Sequence, residues 1–316
     1  MFFCLFFAHL SGFPPDMYIL SSEDKYNGDI FIERKSPASS CQFSDCLFNT
    51  ISSQLDGGAI YFNIVGRIAM QMCRFDKVTT TMKYGAFYIG IKCTEAIINR
   101  TCINDCSATE THGFKIDCLG SQVTNLVVTF CARSTVGSYG SIWFNAKPLL
   151  VTDVNSTFNR INAHGAGIWF DNCKEFVSSR LHIESCVSMG VMMMRYSLNM
   201  QVHYMNFVRN TNSRDALLYV TEAVTLSDCT FFYNTNGLSN KISVLTFSDC
   251  VFSIAQASGA KYIGNNIFST SEYTMKNVFV PNSAMCLLIP SNSKRNVSQF
   301  SSTTHLLILV FLFTIT

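Results

Sequence analysis

The hydrophobic positions of this chain fall in short runs of four to six residues, rich in β-branched and aromatic types. Clusters of Ser, Thr, Asn and Gly separate these runs, a pattern typical of strands joined by turns. No window has the apolar spacing of a long amphipathic helix. The pattern therefore predicts an all-β protein.

A small residue followed by an apolar, polar, apolar triplet recurs along the chain. These anchors are Ala59, Ala86, Gly113, Ser141, Gly167, Gly190 and Ala216, at spacings of 27, 27, 28, 26, 23 and 26 residues. A second signal, a segment ending in Phe, follows most anchors after 15 to 17 residues, at Phe75, Phe130, Phe158, Phe207 and Phe231. A fixed period of this size is the signature of a solenoid.

A unit of about 26 residues is too small to bury an apolar face alone, so each unit must stack on its neighbours. Short strands without helices predict a parallel β-helix, in which equivalent residues of successive coils stand about 4.8 Å apart. Crossover connections between parallel strands are right-handed. We therefore expect a single-stranded right-handed parallel β-helix with roughly eight coils between residues 41 and 265.

Strand alternation assigns each position of the repeat to the inside or the outside. Two columns should face the core, because nearly all their residues are apolar: Ile60, Phe87, Phe114, Ile142, Ile168, Val191 and Leu217, and then Phe62, Ile89, Ile116, Phe144, Phe170, Met193 and Tyr219. The column between them should face outward and contains Tyr61, Tyr88, Lys115, Trp143, Trp169, Met192 and Leu218.

The outward column holds the candidate ligand-binding residues Tyr61, Tyr88, Trp143 and Trp169. Exposed aromatic side chains in a row can bind sugar rings or a partner protein, since large exposed apolar patches mark interaction surfaces. The alternative is an aromatic ladder that stabilises the sheet through contacts between neighbouring strands. The expected partner is a host or neighbouring cell-surface protein or glycan.

The composition argues against one class of partner. Charged residues make up 14% of the chain, and the net charge is +2 with a pI of about 7.9. Such a chain lacks the broad basic field that nucleic-acid binding requires. We expect no nucleic-acid partner.

The two ends of the chain differ from the repeats. Residues 1–12 predict a possible signal peptide, residues 13–40 an N-terminal cap, residues 41–265 the β-helix repeats, residues 266–305 a C-terminal cap and polar spacer, and residues 306–316 a hydrophobic tail. The tail is too short to cross a membrane core of about 30 Å as a helix. A lipid-anchor signal, a truncated membrane span and a tail packed on the fold stay open, so membrane association through the tail is possible. The expected location is the cell surface or the secreted fraction.

The chain contains 14 cysteines, whose spacing does not match a zinc site. We expect neither a metal nor a cofactor. Cys46, Cys73, Cys229 and Cys250 stand two residues before a Phe, so Cys46 and Cys73 would lie one coil apart, within disulfide range. The alternative, which we favour, is that these cysteines are small buried residues that stack well.

Two features raise the question of catalysis. The tripeptide SDC contains Asp228 and Asp249, whose carboxylates would lie about 5 Å apart in adjacent coils, as in a retaining glycosidase. Asp45 occupies the same tripeptide many coils away, and no His, Arg or Lys completes a mechanism on those turns, so a structural role is favoured. His112 and His164 each precede a Gly, and we interpret both as solvated turn residues. We expect no catalytic residues; the alternative is a polysaccharide-acting lyase or glycoside hydrolase.

Three sequons, at Asn99, Asn155 and Asn296, are compatible with passage through a secretory pathway. They are the candidate glycosylation sites of the chain.

The segments GGAI (57–60), FVRN (207–210) and FFYN (231–234) resemble a known pair of repeat motifs. They are similar to the GGA-aliphatic and F-x-x-N tetrapeptides of the chlamydial polymorphic outer membrane proteins and of β-helical surface proteins in trichomonad protists. The resemblance covers residues 41–265 and implies an extracellular β-helix associated with adhesion. The strands of a bacterial autotransporter barrel do not follow the repeats, so a eukaryotic secreted or surface protein fits better. The expected function is that of a non-enzymatic structural or adhesion module.

Overall fold

The computed structural model describes residues 24–31, 33–131, 139–174, 176–197, 200–213, 216–235, 237–241, 244–253 and 259–269. Within these ranges the chain forms strands and no α-helix. The strands are parallel and stack as a β-solenoid of about seven turns of about 26 residues. The predicted fold class is confirmed. The handedness of the coil stays a prediction.

Seven successive coils each contribute one strand to a seven-stranded sheet, which we call sheet I. Its strands in chain order are β6 (Ile60–Phe62), β10 (Phe87–Ile89), β12 (Phe114–Cys118), β14 (Ile142–Ala146), β16 (His164–Asp171), β19 (Gly190–Arg195) and β22 (Leu218–Val220). Equivalent residues of neighbouring coils pair directly, as Ile60 with Phe87 and Phe87 with Phe114.

The rest of the coil forms a 17-stranded sheet that bends at a corner into two faces. Along each coil, face A precedes this corner and face B follows it. Its first strands are β1 (Asp24–Asn27), β2 (Ile30–Phe31), β3 (Cys41–Ser44), β4 (Leu47–Asn49), β7 (Gly66–Gln71) and β8 (Arg74–Asp76). Five longer strands run through the corner: β11 (Cys93–Asn104), β13 (Ser121–Thr129), β15 (Leu149–Thr157), β17 (Phe176–Glu184) and β20 (Met200–Val208). The last are β23 (Val224–Ser227), β24 (Thr230–Phe232), β25 (Leu245–Ser248), β26 (Val251–Phe252), β27 (Lys261–Ile263) and β28 (Ile267–Phe268).

Two small sheets of two strands complete the coil between face B and sheet I. One pairs β5 (Ser52–Ser53) with β9 (Thr79–Thr80), and the other pairs β18 (Val187–Ser188) with β21 (Thr211–Asn212).

Single residues in the left-handed region turn the chain at two corners. The first corner joins face A to face B and has φ between 49° and 56° at Asp45, Met72, Arg100, Asn125, Asp153, Arg180, Tyr204, Asp228 and Asp249. The second corner follows face B and has φ between 51° and 55° at Thr50, Lys77, Asp105, Phe130, Phe158, Ser185, Arg209 and Tyr233. Asp and Asn tolerate this conformation best, and the other residue types must be held there by the stacked coils.

The core lies between the faces and contains a continuous stack of large apolar side chains. The two predicted inward columns of sheet I are buried from the first to the fifth coil, from Ile60 and Phe62 to Ile168 and Phe170. Phe rings also stack across coils, such as Phe87 on Phe114 with centroids 4.6 Å apart. This column assignment is therefore confirmed for five coils.

The assignment is wrong for the next two coils, because the register shifts in β16. His164 pairs with Gly190, but Ile168 pairs with Met192, so β16 holds two extra residues between the pairs. Met192 and Leu218 therefore continue the inward column of Ile168, whereas Met193 and Tyr219 continue the outward column of Trp169. The predicted sides of these residues are reversed. Gly165, with φ of 81°, lies in this irregular segment.

The outward positions of faces A and B differ in burial. On face A the column before the first corner is half-buried or exposed in every coil: Ser44, Gln71, Asn99, Thr124, Thr152, Ser179, His203, Ser227 and Ser248. On face B the column after the corner, which we call the face B column, is Leu47, Arg74, Cys102, Val127, Asn155, His182, Asn206, Thr230, Val251 and Ile267. Its members from Cys102 to Val251 are all buried.

Candidate functional site

The four predicted ligand-binding residues lie in one column on the outside of sheet I. Tyr61 pairs with Tyr88, and Trp143 pairs with Trp169, so the stacking predicted from the period is confirmed. The ring centroids are 5.3 Å apart in the tyrosine pair and 5.0 Å apart in the tryptophan pair. Lys115 stands between the two pairs in the same column.

The two tryptophans are covered, although they point away from the core. Trp143 is 9% exposed and Trp169 is 2% exposed. Tyr139 packs on both indoles, with centroids 4.9 and 5.2 Å away. The ring faces are therefore occupied within the chain, and the expectation of exposed tryptophans is wrong. Whether Tyr61 and Tyr88, which are half-buried, contact a ligand stays a prediction.

Cations and carboxylates complete the outer surface of this column. The Lys115 Nζ lies 4.1 Å from the centroid of Trp143 and 3.2 Å from Asp117 Oδ2. Arg195 lies over Trp169 and donates two hydrogen bonds to the carboxylate of Asp171, at 3.1 and 2.9 Å. These bonds raise the pKa of Arg195. Each cation thus holds an acid on one side and an aromatic ring on the other, which fits a stabilising ladder.

Burial also affects the tyrosines of this surface. It raises the pKa of Tyr88 to about 12, so the phenol stays neutral over the physiological range. The indole N–H groups of Trp143 and Trp169 have no acceptor among the residues that the structure describes.

The exposed aromatic pair of the solenoid lies at the second corner instead. Phe130 and Phe158 are 39% and 50% exposed, and their rings stack with centroids 5.1 Å apart and an angle of 9°. Both residues line a shallow open groove with Arg160, Ser185 and Val187. This surface combines two apolar rings with an exposed guanidinium, a combination suited to recognition.

The sequence contains the signal for this pair, but the period places it in the wrong column. The inward column of face B runs through Phe75, Ile103, Val128, Ser156 and Ile183 to Phe207. Phe130 and Phe158 stand two residues later, at the left-handed corner, and therefore do not belong with Phe75 and Phe207 as the spacing suggests. The spacing from the anchor does not separate the two groups, because Phe207 and Phe130 both stand 17 residues after their anchors.

The carboxylates of the SDC tripeptides have a structural explanation. Ser227 pairs with Ser248, which places Asp228 and Asp249 in adjacent coils as predicted. Both residues have positive φ at the first corner, as does Asp45. Asp249 also accepts hydrogen bonds from Ser248 Oγ at 2.7 Å and from the Asn265 N–H at 2.8 Å. The backbone conformation accounts for Asp at these positions without catalysis.

The structure does place a histidine beside one of these turns, contrary to expectation. His203 Nδ1 is hydrogen-bonded to Ser227 Oγ, and Asp228 follows this serine. Burial lowers the pKa of His203, which Asp228 opposes. Ser, His and Asp are thus close together on the outer side of face A. Geometry of this kind does not by itself define a catalytic site.

His112 and His164 differ from the solvated turn residues that the sequence predicts. His112 is fully buried, and its Nδ1 accepts the backbone N–H of Ala108 at 3.1 Å. His164 is half-buried and begins strand β16, where its ring lies 5.2 Å from that of Tyr219.

The predicted cysteine column exists and is buried. Cys46, Cys73, Cys229 and Cys250 are buried inside the solenoid and form no disulfide, which confirms the interpretation favoured from the sequence. Burial raises the pKa of Cys73 and Cys229 well above the usual value of a thiol. Cys102, in contrast, lies on the outside of face B and is disulfide-bonded. Groups of three or more His, Cys, Asp or Glu that could hold a metal are absent from the described residues.

The sequons lie in three different settings. Asn99 is half-buried on face A, where its Oδ1 accepts a hydrogen bond from Thr124 Oγ1 at 3.0 Å. Asn155 belongs to the face B column and is 6% exposed, a location that argues against a glycan on the folded chain. Asn296 is outside the described residues, as are the predicted signal peptide and the hydrophobic tail.

No family model, no curated protein and no solved structure matches this chain. Across the described part of the chain, helices long and apolar enough to cross a membrane are absent.

Proposed function

We propose that the protein is a non-enzymatic β-solenoid, displayed at a cell surface or secreted, that acts as a structural and adhesion module. The observation that supports this most is the exposed, stacked pair of Phe130 and Phe158 beside Arg160. A rigid stack of coils holds these side chains in a fixed array, so a partner meets a surface that needs little ordering on binding. The proposed partner is a neighbouring or host cell-surface protein or glycan.

The corner position explains how such a surface can vary without damage to the fold. The side chains of Phe130 and Phe158 are exposed, whereas their backbone N–H groups donate to the carbonyls of Thr157 and Glu184 in the next coil and do not depend on the side chain. Arg209 and Tyr233, in the same corner column, are 57% exposed in the side chain and 48% exposed, respectively. A change of residue type at these positions therefore leaves the packing of the core intact.

A binding experiment tests the adhesion role. The purified full chain is presented to intact cells, and the bound fraction is compared with that of the double variant Phe130→Ser/Phe158→Ser. The expected result is a loss of at least about tenfold in apparent affinity, the scale of a lost aromatic hot spot. The matched control is Tyr196→Ser, which removes an aromatic ring that is 60% exposed elsewhere on the solenoid. Equal binding by the double variant would remove the proposed surface.

A second experiment tests the location. An epitope tag is placed at Ser36, an exposed residue ahead of the first complete coil, and intact cells of a eukaryotic secretory host are stained before and after permeabilisation. Staining of intact cells is expected. Staining that requires permeabilisation would contradict surface display in that host.

A further inference from the structure

Two cysteines of successive coils stand together where sheet I passes into face A. Cys118 ends strand β12, and Cys93 begins strand β11 in the preceding coil. The Leu119 N–H donates to the Cys93 carbonyl at 3.1 Å, and the pairing of β11 with β13 begins just beyond, at Ala96 and Ser121. The two cysteines therefore occupy the same place in the repeat, one coil apart.

Their side chains also take the same direction. Cys93 Sγ donates to the Glu95 carbonyl at 3.2 Å, and Cys118 Sγ donates to the Gly120 carbonyl at 2.8 Å. The two thiols lie within hydrogen-bond contact of each other. Equivalent residues of neighbouring coils are about 4.8 Å apart, which falls within the range of about 4.4 to 6.8 Å between the Cα atoms of a disulfide. A bond between the two sulfurs therefore does not require the coils to move apart or together.

The neighbours in this column leave each thiol one partner. The strand pairing places Gly66 before Cys93 and Ala146 after Cys118. Neither residue contains sulfur, so along the column Cys93 and Cys118 can form a disulfide only with each other.

The pair lies directly beneath the surface of the solenoid. Cys118 is 5% exposed, more than any other cysteine of the described ranges that forms no disulfide. Leu119, the next residue, is 60% exposed, and Ile91, in the turn before Cys93, is 66% exposed. A small local opening of these turns is therefore enough to bring a soluble reagent to the sulfurs.

We propose that Cys93 and Cys118 form a redox-active pair that exchanges reversibly with small-molecule disulfides such as glutathione disulfide. The thiolate of one cysteine attacks the small disulfide, forms a mixed disulfide and releases a first thiolate. The sulfur of the other cysteine then attacks the mixed disulfide at the protein sulfur, forms the bond between Cys93 and Cys118 and releases a second thiolate. The two protons lost by the pair go to the two released thiolates, so the pair gives up two electrons and the small disulfide takes up two. This inference does not depend on the proposed function.

The environment of the pair favours Cys93 as the attacking group. Contact with Cys118 lowers the pKa of Cys93, and the same contact raises the pKa of Cys118. Because the thiolate is the nucleophile in this exchange, Cys93 reacts first and Cys118 completes the bond.

The bond has a mechanical consequence for the solenoid. It ties one coil to the next, because Cys93 and Cys118 are 25 residues apart in the chain. A cross-link of this length restricts the unfolded chain and so stabilises the folded one. The redox state of the surroundings thereby sets how readily these two coils separate.

Disulfide mapping tests the exchange. The full chain is purified with reductant, freed of it and incubated with glutathione disulfide, and N-ethylmaleimide then blocks the remaining thiols. Digestion with trypsin and chymotrypsin without reduction is followed by mass spectrometry. The expected product is a peptide containing Cys93 joined to one containing Cys118, which reduced glutathione separates again. Two blocked thiols, a stable glutathione adduct on either cysteine, or a bond from either to another cysteine would overturn the proposal.

Unfolding kinetics test the consequence. In urea, followed by circular dichroism, we expect the oxidised chain to unfold at least about tenfold more slowly than the reduced chain. Cys118→Ala should remove this response to the oxidant, and Cys93→Ala tests the same loss if Cys118→Ala does not fold. Cys173→Ala is the matched control, because it removes another fully buried cysteine and should keep the response. Equal rates for the oxidised and reduced chains, or a response retained without Cys118, would contradict the stabilising role of the pair.

Discussion

The side-chain oxygen of Asn234 accepts the backbone N–H of Asn210, 2.9 Å away in the preceding coil, and Asn210 repeats this contact with Cys186 at 2.9 Å. The amide nitrogen of Asn210 also donates to the Ile183 carbonyl at 2.8 Å. Each asparagine follows a corner residue with positive φ. Its side-chain amide hydrogen-bonds backbone groups that the turn leaves without a partner in the strand ladder. The F-x-x-N tetrapeptide therefore has a structural basis: Phe fills the core, and Asn closes the corner.

Asn210→Ala is expected to destabilise the fold by about 2–4 kcal/mol, because two buried backbone groups lose their partners. Asn210 is fully buried, so water cannot replace the lost hydrogen bonds. Urea denaturation monitored by circular dichroism measures the difference. Asn145→Ala, at a half-buried outward position of β14, is the control and should change the free energy of unfolding by less than about 0.5 kcal/mol. Similar effects of the two variants would contradict the corner role of Asn210.

The period and the inward columns of the first five coils could be predicted from the sequence, because small anchors and alternating apolar residues are both local signals. The register change in β16 could not. Gly165 and Gly167 both fit the anchor pattern, and the residue types around them do not indicate which of the two sets the register of the strand. The choice is made by pairing with Gly190 and Met192 in the next coil.

The solvent exposure of a side chain was harder to predict than the side of the sheet on which it lies. Trp143 points outward as expected, but Tyr139, which precedes its strand, covers it. Phe130 was predicted to share the column of Phe75, and its exposure follows from a displacement of two residues into the corner. Alternation gives the side of a sheet on which a residue lies, whereas exposure depends on what packs over that side.

The central Phe stack should carry a large share of the stability. Phe114→Ala is expected to cost about 3–5 kcal/mol, because Phe114 is fully buried and packs on Phe87 and Phe144, whose contacts would be replaced by a cavity. Phe158→Ala is the matched control: the same substitution at a half-exposed corner should cost less than about 1 kcal/mol. Equal shifts of the urea midpoint would place Phe114 outside the core.

His203 should make stability depend on pH below neutrality. Burial lowers its pKa in the folded chain, so the unfolded chain binds the proton more readily. The stability that depends on neutral His203 is complete above the ordinary pKa of about 6.5 and is lost as the pH falls toward the folded pKa. His203→Gln retains a polar group beside Ser227. In this variant the urea midpoint is expected to change less between about pH 6.5 and 5 than in the original chain. An unchanged slope would show that His203 does not carry this dependence.

The thiols of the inner cysteine columns should react slowly at alkaline pH. Burial raises the pKa of Cys73 and Cys229 well above 9.0, so little of either thiol is ionised. The two residues are also only 2% and 0% exposed, so a reagent cannot reach their sulfur atoms in the native chain. We expect iodoacetamide at pH 8.5 to leave both thiols unmodified in the native chain on the timescale in which a surface thiol reacts completely, and to modify both in 6 M guanidinium. Mass spectrometry of the two digests measures the modified fraction. Prompt native labelling of Cys73 but not Cys229 would indicate that the first coils open locally while the last ones stay closed.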